Sequence, residues 1–113
     1  MRKLKIVLAQ TGYGAGITPS GGEELGHDLA ALAETFAEKA GVEPVSGNYT
    51  HFAYKAATLF YLAADAFVLG AQASIGHNRA QRYHGLADGY TMRAEQLMEN
   101  IKTIIYDKAG VAP

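Results

Sequence analysis

Glu24 and His27 stand three residues apart, the Glu-x-x-His spacing that di-iron four-helix proteins place on one helix face. Such a pair offers a carboxylate oxygen and an imidazole nitrogen to one cation. A complete site of that kind needs further carboxylates from other helices. Glu23, Asp28 and Glu34 lie on the same segment, whereas Asp65, Asp88, Glu95 and Glu99 are spread along the rest of the chain. Glu24 and His27 are therefore a candidate metal site only if helices of other subunits contribute. The plainer account is a helix start rich in acids beside a surface histidine. Among His51, His77 and His84, only His84 has a carboxylate at close helical spacing, Asp88, and such a pair is an ordinary surface interaction. The three or four clustered ligands that zinc takes are not visible, and no cofactor is expected.

Asp65 poses a different question. It lies in the middle of the most apolar stretch, where a buried carboxylate needs a partner or an altered pKa. Arg79, Arg82 or Arg93 from a packed neighbour could supply one, as could a tyrosine hydroxyl. As a catalytic acid Asp65 would stand without a nucleophile, so the expectation is a buried or interfacial polar pair. Tyr61, Tyr83 and Tyr90 belong with it, because aromatic surface with a polar tip suits protein interfaces.

Thr11–Gly22 (TGYGAGITPSGG) is glycine-rich and follows a weakly alternating segment, Leu4–Leu8. Its glycines do not fit G-x-G-x-x-G, and there is no P-loop lysine and serine, so phosphate cradling is not supported. Residues 1–22 are expected to form a pliable arm. No second strand is evident elsewhere, so Leu4–Leu8 is either extended without a sheet or an edge strand added to another polypeptide.

Three helices must position these groups. The first, about 21–40, has Ser20 as a cap with Glu23 in the capping-box position. Leu25, Leu29, Leu32, Phe36 and Ala40 form its apolar stripe, and Gly41 and Pro44 end it. The second, about 49–75, is apolar over most of its circumference. His51, Lys55, Thr58, Asp65 and Gln72 share one arc with Leu62 and Leu69, bordered by Tyr54 and Tyr61. The third, about 79–108, packs through Tyr83, Ala87, Tyr90, Ala94, Leu97, Ile101 and Ile104. Arg82, Asp88, Arg93, Glu95, Glu99 and Lys102 form its solvent face. Gly76, His77 and Asn78 mark either a break or a glycine inside one continuous helix.

The fold class is thus all-α: an antiparallel helical hairpin or three-helix domain (23–109) with a long apolar central helix and an N-terminal arm. With 113 residues one domain is the natural size, and a hydrophobic share of 49% places the chain outside the disordered range. A formal charge of -1 gives no electrostatic reason to expect nucleic acid. Cysteine is absent, which excludes disulfides and thiolate chemistry. The central helix invites comparison with a membrane span, but an aspartate at bilayer depth costs ~2.5–3.5 kcal/mol on translocon scales, which weighs against insertion. The apolar run after Lys5 is too short for a secretory signal.

No motif names a reaction. The expectation is a non-catalytic structural or assembly subunit, cytoplasmic or part of a larger particle such as a viral head, neck or tail. It would associate with itself and with other protein subunits through the apolar helices and the arm. The competing expectation is a small helical metal- or ligand-binding protein, or enzyme, using Glu24 and His27 or the Asp65 region.

Overall fold

The computed structural model of the chain describes residues 18–41 and 47–110. These form three helices: α1 (Pro19–Ala40), α2 (Gly47–Ala73) and α3 (His77–Ala109). The fold is an all-α three-helix domain, and no strand is present among the described residues. The segment Leu4–Leu8, the glycines up to Gly16 and the connection 42–46 lie outside the described residues.

Pro19 starts α1 because its fixed φ suits the first helical turn and its missing N–H is not needed there. Thr18 is the cap, and its Oγ1 accepts a 2.9 Å hydrogen bond from the Gly21 N–H. This corrects two expectations. Ser20 and Glu23 do not form the capping box, and the helix takes in residues 19 and 20, ahead of its expected start near 21. At the other end Gly41 has φ 81°, a left-handed conformation suited to glycine, and its N–H reaches the Ala37 and Glu38 carbonyls.

Between α2 and α3 the chain breaks at Ser74–Gly76, so the two helices are separate. Ser74 ends α2 by satisfying late carbonyls: its Oγ donates to Gly70 O at 2.8 Å and its N–H to Ala71 O at 3.1 Å. The third helix begins at His77, two residues before the start near 79 expected from the sequence.

α2 is the middle element and packs against both neighbours. Its partner faces are built largely from alanine: Ala53, Ala56, Ala57, Ala63, Ala64, Ala66 and Ala71 are all buried. Small side chains let helix axes approach closely. The extreme case is the α1–α2 crossing, where a Cβ on Gly22 would lie 2.7 Å from Gly70 Cα. Gly26 meets the Phe67 ring just as tightly, at 2.6 Å from such a Cβ.

Volume comes from aromatic rings in the middle of the bundle. Tyr90 of α3 stacks on both Phe60 and Phe67 of α2, with ring centroids 5.8 Å apart in each case. Both phenylalanines are fully buried. At the end of the bundle, Tyr49 and Ala53 pack on Ile101 and Ile104. The apolar stripes expected on α1 and α3 face the interior, and the charged face of α3 lies in solvent.

By length and composition alone, Tyr49–Ala73 could cross a membrane, and half of an apolar 18-residue window within it is buried inside the domain. Two helices cover α2 everywhere except along one arc. The coverage that its composition demands is therefore met inside the chain, apart from that arc.

Candidate interaction surface

The open arc of α2 follows directly from its sequence periodicity. His51, Tyr54, Lys55, Thr58, Tyr61, Asp65 and Gln72 are exposed, while Leu62, Val68 and Leu69 between them are half-buried. Tyr54 and Tyr61 leave 56% and 39% of their surface open, which is large for aromatic residues in a helical domain. A groove of about 330 Å³ flanks the arc on the α1 side, lined by Leu32, Phe36, Tyr54, Lys55, Thr58 and Leu59. On the α3 side a groove of about 540 Å³ has Tyr61, Met98, Ile101 and Ile105 along it and Glu95, Glu99 and Lys102 at its rim.

Polar chemistry on the arc is limited. The Thr58 hydroxyl donates to Tyr54 O at 3.0 Å, so it is satisfied within its own helix. Lys55 Nζ lies 5.4 Å from the centre of the Phe36 ring, a cation–π contact. Asp65 is exposed, so of the two settings expected for it, buried or interfacial, burial within the chain does not hold. Its helix is apolar on average, but Asp65 falls on the arc that neither α1 nor α3 covers. Water therefore solvates it, and it has no protein partner among the described residues.

The arginines expected near Asp65 lie elsewhere. Arg82 pairs with Glu23 of α1 at 3.1 Å, and Arg93 pairs with Glu34 of α1 at 2.6 Å. Arg79 is exposed in the first turn of α3. Tyr83 is buried, with its hydroxyl donating to Glu23 Oε1 at 2.7 Å. The structure thus brings Arg82 and Tyr83 together on Glu23, places Tyr90 in the aromatic core and leaves Tyr61 on the open face.

Glu23 is the residue that sequence reasoning misplaced. The Tyr83 hydrogen bond holds its carboxyl below the usual range, helped by the Arg82 guanidinium and opposed by partial burial. Burial pushes the Tyr83 phenol up, and the adjacent carboxylate adds to that. His27 Nε2 lies 3.6 Å from Glu23 Oε2, and the imidazole sits edge-on to Phe67. The cluster ties α1 to α3. Its detectable sequence sign is the i,i+4 spacing of Glu23 and His27, which competes with Glu24 and His27.

Among the described residues no group of three or more histidine, cysteine, aspartate or glutamate side chains could hold a metal ion. Glu24 and His27 are both exposed on α1, and no third ligand of those types joins them there. No family model, curated protein or solved structure matches the chain.

Proposed function

We propose that the chain is a non-catalytic assembly subunit that associates with itself through the open arc of α2. The observation that carries this reading is the arc itself: Tyr54 and Tyr61 stand exposed beside two grooves with apolar floors. Tyrosine at such positions provides large, rigid contact area while keeping its hydroxyl within reach of water. The partly exposed polar cluster at Glu23 supports the same reading, because its Tyr83 and Arg82 contacts tie α1 to α3. A larger protein particle, such as a viral head, neck or tail, is the kind of setting in which such a subunit works. That setting is drawn from the parts present and not from kinship.

Sedimentation equilibrium of the purified chain tests the reading. A mass of at least twice the 12.0 kDa of one chain is expected. A monomer at every soluble concentration would sink it.

A further inference from the structure

We infer that α2 pairs face to face with α2 of a second copy, antiparallel, about a two-fold axis that passes between the two helices level with residue 60. Lys55 of each copy then meets Asp65 of the partner subunit. This rests on the reading of the chain as a self-associating subunit and supplies its surface and geometry.

The exposed residues recur as His51, Thr58, Asp65 and Gln72, with exposed Tyr54 and Tyr61 and half-buried Val68 between them. Alternating steps of three and four keep such a seam on one side of a helix, the pattern along which two helices pack. The charged side chains of the arc are Lys55 and Asp65, of opposite sign and ten residues apart, about 15 Å along the axis. Neither is in an ion pair among the described residues.

Symmetry then decides the direction. A parallel pair would set Asp65 against its own copy and Lys55 against its own copy. An antiparallel pair centred midway replaces both like-charge meetings with two opposite-charge meetings. Thr58, Tyr61 and Leu62 lie nearest the axis. Thr58 has already used its hydroxyl on Tyr54 O and can present its methyl, so no unmet donor is buried there. Leu62 is apolar, and the Tyr61 ring lies along the larger groove, where its hydroxyl can remain in water.

The test uses the full chain and four sequences: wild type, Lys55→Asp, Asp65→Lys, and the double exchange. All changes are at exposed positions, and circular dichroism confirms that helix content is kept. Each single variant turns both pairs into like-charge contacts, so its dimer dissociation constant should rise roughly tenfold. The double exchange should return it to near the wild-type value, because the pairs are restored in reverse. In a parallel pair the double exchange restores nothing.

Absence of cysteine allows a second measurement. Thr58→Cys mixed with Leu62→Cys should form a disulfide, whereas Gln72→Cys should not link to itself. Self-linking of Gln72→Cys, or a double exchange no tighter than the single variants, overturns the inference. Dimers indifferent to all these changes would leave self-association standing and remove this surface. A strictly monomeric wild type would remove both.

Discussion

The Tyr83 hydroxyl donates a 2.7 Å hydrogen bond to Glu23 Oε1, joining α3 to α1 across the flank of the central helix. The ring of Tyr83 is 1% exposed, so the bond ends in a carboxylate that is only partly open to water. Tyr83→Phe keeps the ring and removes the bond. Hydrogen bonds to charged groups contribute about 1.5–3 kcal/mol, and partial exposure of Glu23 places the expected loss near the lower value. Urea denaturation of the two proteins measures it.

The same pair sets a pH dependence with a definite sign. Glu23 is held below its ordinary pKa in the folded chain, so its contribution is complete above the unfolded value. It fades as pH falls through the depressed native value, beginning below about pH 5. Tyr83 is shifted up, so its contribution is complete below the ordinary phenol value of about 10 and is lost at higher pH. Between pH 3 and 7 (a range of about four units), the stability of Glu23→Gln should vary less than that of wild type. Identical acid limbs for the two proteins would contradict the assignment.

Two glycine-to-alanine changes should act in opposite directions. At Gly22 the new methyl would lie 2.7 Å from Gly70 Cα and 2.9 Å from Ala66 O, both backbone atoms that cannot swing aside. Overpacking of this kind should cost about 2–3 kcal/mol, more than the helix propensity gained. At Gly85, exposed within α3, a Cβ would meet nothing within 4 Å. There alanine should stabilise by about 0.5–1 kcal/mol. Thermal unfolding midpoints report both signs.

Phe67 touches the Tyr90 and His27 rings and closes on Gly26. Phe67→Ala should destabilise by about 3–5 kcal/mol through lost burial and a cavity that alanine neighbours cannot fill. Arg93→Ala removes an exposed ion pair with Glu34 and a guanidinium 4.6 Å from the Phe60 ring centre. Its effect should stay near 1 kcal/mol or below. Equal losses for the two variants would mean that the core is not where the rings stack.

Zinc added to the chain should leave the thermal midpoint unchanged. A rise with zinc that a chelator reverses, and that Glu24→Ala abolishes, would restore the metal-binding reading of Glu24 and His27.

Residue spacing was enough to foretell the apolar stripes. Leu25 and Leu29, Phe60 and Phe67, and Tyr83 and Ala87 each face inward because a 3.6-residue period leaves few other arrangements. The arc of His51, Lys55, Thr58 and Asp65 was equally legible, but its environment was not. Mean apolarity suggested burial for Asp65, whereas burial depends on which arc the neighbours leave uncovered. Glu23 was misassigned because a capping box and a distant tyrosine can use the same carboxylate, and only tertiary packing chooses between them. The close contact of Gly22 with Gly70 was hidden because glycines near a turn-rich segment read first as flexibility. Their other use, admitting another backbone, depends on a partner far away in the chain.

That glycine contact has a consequence for alignment. Alanines leave much of the α1–α2 pair with low relief, and its larger knobs are few: Leu25, Leu29 and the Phe67 ring against Gly26. The missing side chains of Gly22 and Gly70 make a matched notch, and seating one in the other fixes the axial offset of the two helices. Glu23 is the next residue along from that notch, so the same seating delivers its carboxylate to Tyr83 and Arg82. Two residues without side chains thus act as the index mark that places the domain's principal polar contact.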